Sequence, residues 1–177
     1  MKKYVFILIL LASVSLTAQR ENKVIWITID GLRWQEFYEG ADSLLINEAK
    51  FVYSKEELKQ KFWNPEENKR REALFPFFWN EAVYKGVFLG NRQLGNEFSL
   101  KNKILLSYAG YNEILTGYPD DENIKDNSKF YNPNKTLLEV LNESPEYQGK
   151  IRVFGSWDVF PYIFNENRSK LAVNAGY

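Results

Sequence analysis

The sequence predicts an α/β fold, a mostly parallel sheet flanked by helices, on three observations. The run KVIWITID, residues 23–30, is β-branched and almost continuously apolar, the pattern of a parallel strand buried on both faces. Short apolar stretches of strand character then alternate with helical segments that carry their own start and stop signals. The composition, 45% hydrophobic and 26% charged over 177 residues, suits one globular domain.

In chain order, the first segment, MKKYVFILILLASVSLTAQ, has the make-up of a signal peptide. Lys2 and Lys3 form a positive start, an apolar run follows, and small residues lead to a cleavage position after Ala18. The apolar run is shorter than the roughly 20 residues a membrane span requires. The segment therefore predicts an exported chain, periplasmic or secreted, with residues 1–18 removed, no membrane anchor afterwards, and a domain over 19–177. The 23–30 strand ends at Asp30-Gly31. SKEELKQKF opens with Ser54 and Glu57 at capping-box spacing and predicts a surface helix. PFFWNEAVYKG, with Pro76 in its first turn and Gly86 at its end, predicts another. VFLGN (87–91) and KILLS (103–107) are strand candidates. SYAGYNEILTG (107–117) is a helical pattern closed by Thr116-Gly117. TLLEVLN carries a second capping box, Thr136 with Glu139, and KIRVFGSWD is a strand followed by a turn. The final RSKLAVNAGY adds no closing helix, so the alternation predicts the N-terminal half of a larger domain.

Composition narrows the chemistry. Lys plus Arg and Asp plus Glu are equal at 23 each, which gives no nucleic-acid footprint. The chain has no Cys and no His, so it forms no disulfide, no zinc–thiolate site and no histidine general base. Catalysis would rest on carboxylates, hydroxyls, amides and Lys/Arg.

Two positions stand at predicted strand ends, where α/β sheets bind ligands. Asp30 offers a carboxylate suited to a hard or borderline divalent cation, with Gly31 allowing close approach and Arg33 able to balance charge. Ser107 places a hydroxyl where a strand gives way to a helix N-terminus, a position that favours an anion.

ITIDGLRW and SYAGYNEILTG together resemble the alkaline phosphatase superfamily, in its phosphodiesterase/nucleotide pyrophosphatase and phosphoglyceromutase-like branch. RREALFPFFWNEAVYKG, LGNR and GSWDVFPYIF are similar to an exported bacterial subgroup of it. The resemblance runs over residues 23–177 and implies a partial alkaline-phosphatase-like fold. In that superfamily an Asp-Gly after the first strand binds metal, which matches Asp30, and a Ser or Thr nine residues before a Thr-Gly is nucleophile and metal ligand, which matches Ser107. A downstream Asn holds a phosphoryl oxygen; Asn127 matches, with Asn132 as second choice. The implied cofactors are two divalent metal ions, zinc first and manganese second, and the implied partner is a small-molecule phosphate ester. The reaction implied is that of a phosphodiesterase, phosphatase or phosphoglyceromutase-like phosphotransferase.

The departures are specific. Ser107 is not followed by the Pro-Ser-Arg of sulfatases, and Ala109 stands where the phosphodiesterase branch commonly has Pro. The remaining metal ligands of the superfamily are Asp and His from the second half of the fold, so this chain alone is expected to be inactive. Two rival readings follow: an exported binding protein that keeps the fold without chemistry, and a structural one in which Ser107 is a helix cap and Asp30 a turn residue. Elsewhere, Phe75–Trp79 is read as core packing, residues 68–72 as a solvated helix face, and Thr136 as a cap rather than part of a glycosylation signal. Trp157-Asp158 is a candidate for the pocket rim.

Overall fold

The computed structural model describes residues 23–176, so the signal-peptide reading of residues 1–18 lies outside them. Among these residues the architecture is α/β in the broad sense: helices in sequence, then a two-stranded parallel sheet. No helix of the described residues is long and apolar enough to cross a membrane.

The 23–30 run is not a buried strand. It joins no ladder, and Val24 and Ile25 are 91% and 84% exposed. Its β-branched residues favour a pleated, covered environment, yet a strand forms only where a second strand accepts its backbone groups. None of the described residues does so. The candidates at 87–91 and 103–106 likewise join no strand, and Ser107 belongs to the helix that follows.

Five short helices follow: α1 (Trp34–Glu39), α2 (Ser43–Asn47), α3 (Lys55–Phe62), α4 (Glu67–Leu74) and α5 (Pro76–Asn80). Ser54 is the N-cap of α3, but its side chain makes no capping bond, and Glu57 pairs with Lys61 at 2.7 Å instead. The helix expected over 76–86 breaks at Glu81 (φ −129°, ψ −56°) and resumes as a 3₁₀ turn, Ala82–Tyr84. Phe37 organises this region: its ring meets Phe75, Phe78, Trp79 and Phe88, and its carbonyl accepts the Trp79 indole N–H at 3.0 Å. Phe75, Phe78 and Trp79 thus pack together as expected, half-buried, while Phe77 is 63% exposed. The 68–72 segment is not simply solvated. Arg70 donates to the carbonyls of Glu39, Asn64 and Pro65, and Arg71 lies 4.0 Å from the Trp79 ring centre.

The second core is built on α6 (Ser107–Thr116), which buries Tyr108, Ala109, Tyr111 and Leu115 against Ile124, Ile163 and Phe164. Gly117 ends α6 in the left-handed conformation (φ 83°), its N–H returning to Glu113 O at 2.8 Å. Helix α7 (Leu137–Glu143) starts as expected, the Thr136 hydroxyl accepting the Glu139 N–H at 3.2 Å. Strand β1 (Arg152–Gly155) pairs in parallel with β2 (Ala172–Ala175), and the crossover carries α8 (Phe160–Ile163) and α9 (Glu166–Ser169). At Gly155 a Cβ would stand 2.3 Å from the Phe160 ring, so the absence of a side chain lets α8 fold back on β1.

Candidate functional site

A cleft of about 440 Å³ lies between the 28–32 segment, which turns at Asp30-Gly31, the 100–106 segment and one side of α6. Asp30 and Ser107 both line it, together with Asn102, Leu100, Tyr111 and Ile114. The structure therefore brings two of the three sequence-predicted residues to one cavity. Asp30 is exposed and follows the unpaired run, while Ser107 is half-buried on the best-packed helix of the molecule. Electrostatic proximity is visible at Tyr111. Burial pushes its phenol pKa up, the Thr28 hydroxyl pulls it back, and the negative charge of Asp30 raises it further.

Ser107 is not a helix cap. Leu106 holds the N-cap position (φ −131°, ψ 154°) without any side-chain bond, and Ser107 is the first helical residue. Its hydroxyl makes no hydrogen bond among the described residues, which leaves it facing the cleft without a structural partner. The first-turn amides that an α-helix cannot satisfy internally lie beside it.

Asn127 stands at the same helix end but not in the cleft lining. Its side-chain oxygen accepts the backbone N–H of Tyr108 at 3.0 Å. With Oδ1 so engaged, Nδ2 is the donor that remains, and it has no partner among the described residues. Asn132, the second choice, is a structural residue: fully buried, it donates to Asn112 Oδ1 and to the Ile163 carbonyl, each at 3.1 Å.

Two further expectations are corrected by what the side chains touch. Arg33 does not balance Asp30; it pairs with Glu36 and, at 3.1 Å, with Asp42, and the Glu36 contact first among these raises its pKa. Asp158 is taken by Lys129 at 2.5 Å and Trp157 packs on Phe160, so neither forms the rim of the cleft. Thr136, read as a cap rather than as part of a glycosylation signal, is indeed the cap of α7 and is fully buried.

Two residues of the site escaped sequence reasoning. Glu113, 8% exposed on α6, accepts the Lys101 N–H at 2.7 Å, the Asn102 N–H at 2.8 Å and the Asn102 side-chain amide at 2.9 Å. It thereby ties the 100–102 wall of the cleft to the helix. Its position offered no signal, because Glu113 stands on the side of α6 away from Tyr111 and Leu115, where a carboxylate reads as solvent-facing.

Asp30 and Ser107 are hard oxygen donors and fit part of a divalent-metal site. Among the described residues no group of three or more His, Cys, Asp or Glu comes together, so they do not complete one. Compared with protein-family models, curated proteins and solved structures, the chain finds no match in any of the three.

Proposed function

We propose that this chain supplies the nucleophile side of an exported, metal-dependent phosphate-ester hydrolase or phosphotransferase of the alkaline phosphatase superfamily, with Ser107 as nucleophile. The observation that carries the reading is that Asp30 and Ser107, distant in sequence, open onto one cleft. A small-molecule phosphate ester enters it. The Ser107 hydroxyl loses its proton to solvent as its oxygen bonds to phosphorus, and the bond to the ester oxygen breaks. The leaving alkoxide takes up a proton from solvent, and water or a second alcohol then takes the phosphoryl group from Ser107. The positive N-terminal end of α6, beside Ser107, favours the charge of the phosphoryl oxygens, although the Tyr108 N–H is already held by Asn127. Asn127 Nδ2, unengaged while Oδ1 holds the Tyr108 amide, donates to a non-bridging oxygen.

Two divalent ions, zinc before manganese, belong to this proposal; Asp30 and Ser107 would hold part of their coordination, and the ions would supply the charge that lowers the pKa of the Ser107 hydroxyl. Asp30 and Ser107 are two ligands where a stable catalytic site generally takes about three protein ligands per metal. The other ligands would come from outside the described residues, and this chain alone is expected to bind zinc weakly and to turn over no ester.

The test is made on the metal-loaded protein completed with the remaining ligands, Ser107→Ala beside Ser107→Thr, read as turnover of nitrophenyl phosphate mono- and diesters and as phosphoserine at position 107 by mass spectrometry. Alanine is expected to cost on the order of 10³ or more in turnover and to abolish the phosphoserine, and threonine to retain part of both. Unchanged turnover in the alanine variant overturns the reading.

A further inference from the structure

We infer that Asn102 is a substrate-selecting residue of the cleft, held by Glu113 so that its side-chain carbonyl accepts a hydrogen bond from a hydroxyl or N–H on the organic part of the ligand. The substrate class this defines, resting on the phosphate-ester reading, is an ester whose organic part is compact and apolar and carries one such donor.

The inference starts from which atoms are already committed. Asn102 is 9% exposed and lines the cleft. Its backbone N–H and its Nδ2 both donate to Glu113 Oε2, at 2.8 and 2.9 Å. A carboxylate only accepts, so the amide cannot be reversed: Nδ2 must face Glu113 and Oδ1 must turn away from it. The carboxylate form is itself secured. Desolvation pushes the Glu113 pKa up, but the Lys101 amide, the Asn102 side chain and amide, and the Lys101 charge outweigh it and leave the value lowered. Oδ1 accepts no hydrogen bond among the described residues, so its acceptor capacity is open to a ligand.

The surroundings set the rest of the class. Leu100, Leu105, Leu106 and Ile114 line the same cavity, an apolar frame in which one fixed acceptor discriminates strongly. A ligand lacking the donor desolvates Oδ1 and gives nothing back. The wall itself is tight: Leu100 Cδ1 lies 3.3 Å from where a Cβ on Gly110 would be, and the Lys103 N–H is held by Asp121 at 3.0 Å. Asn102 touches the ligand; Glu113 acts through it and is a positioning residue.

The experiment titrates the chain with phenol and with anisole, which match in shape but differ in the donor, and follows backbone and side-chain ¹⁵N shifts. Phenol is expected to shift the Asn102 side-chain amide and to bind about tenfold more tightly than anisole, the worth of one hydrogen bond near the upper end of its net range. Asn102→Leu brings that ratio to about one. Glu113→Gln, which turns one acceptor into a donor facing the Lys101 and Asn102 amides, lowers the ratio and speeds exchange of those two amides. A purely structural Glu113 would leave the ratio alone. Equal binding of phenol and anisole, no binding of either in the cleft, or a ratio that survives Asn102→Leu overturns the inference. The Ser107 variants are read separately, so a preference for phenol beside unchanged turnover in Ser107→Ala would remove the enzymatic reading and leave Asn102 in place.

Discussion

The Asn127 side-chain oxygen accepts the Tyr108 N–H at 3.0 Å, one residue beyond Ser107, across 19 positions of sequence. It does for α6 what the N-cap residue, Leu106, cannot. One amide side chain thus serves two purposes. Its oxygen stabilises the helix end that presents Ser107, and its nitrogen remains available to a ligand.

Asn127→Ala and Asn127→Asp separate those purposes. Alanine removes the cap and the donor, and is expected to cost about 1 kcal/mol of stability together with turnover. Aspartate keeps the acceptor and adds negative charge at a helix N-terminus, worth about 0.3–1 kcal/mol in favour of the fold. It lacks the N–H donor, so turnover falls while the melting temperature holds or rises. Equal activity in the aspartate variant and the wild type removes Asn127 Nδ2 from the site.

Glu113 gives the cleft wall a pH dependence of definite sign. Its folded-state pKa is lowered from the ordinary 4.5; burial opposes this, and the Lys101 and Asn102 donors with the Lys101 charge prevail. A carboxyl with a depressed folded value contributes stability that is complete above its unfolded value and is lost as pH falls through the folded one. Lys101 and Asn102 amide exchange, corrected for intrinsic rates, should therefore be slow and flat above about pH 5 and accelerate only on acidification below the ordinary glutamate range. Glu113→Gln should show fast exchange throughout. Acceleration between pH 6 and 8 in the wild type would assign the tether to another group.

Local punctuation was legible wherever a residue satisfies its neighbours. Thr136 caps α7, Gly117 closes α6 and Pro76 opens α5. The 23–30 run shows the limit. Periodicity reports that a segment prefers cover and says nothing of which strand provides it, and here Ile27 and Ile29 stay exposed. Strand β2 went unread because 172–175 is short and half-exposed, yet it is the partner of β1. Of the site, Asp30 and Ser107 were found through the chemistry of their side chains. Glu113 and Asn102 were not, because a carboxylate capturing backbone N–H groups 11 and 12 positions away leaves no periodic trace.

Gly155→Ala tests the contact that closes the parallel pair. The added Cβ would meet the Phe160 ring at 2.3 Å, and Phe160 in turn packs against Tyr111 and Trp157. A ring held on several sides cannot step back freely, so overpacking is expected to cost about 1–3 kcal/mol by chemical denaturation. A neutral substitution would show that α8 moves readily relative to β1.

The Arg168–Glu139 pair is the most concentrated polar contact in the second core. Glu139 is 1% exposed, and Arg168 meets both its oxygens, Nε to Oε1 at 2.6 Å and a terminal nitrogen to Oε2 at 2.9 Å. The same guanidinium donates to the carbonyls of Asn132, Pro133 and Asn134, so it fixes α7 to the turn after Tyr131. Arg168→Met leaves a buried carboxylate without its cation and is expected to cost about 3 kcal/mol, toward the low end for buried pairs because the Arg168 side chain is 40% exposed. Glu139→Leu alone strands a guanidinium that water can still reach, and should cost less. Replacing both removes the charges together, so the double variant should lie closer to wild type than Arg168→Met does, the two effects failing to add. Denaturation midpoints for the four proteins settle this. Additive losses would mean that the carbonyl contacts of Arg168, and not its ion pair, hold α7 in place.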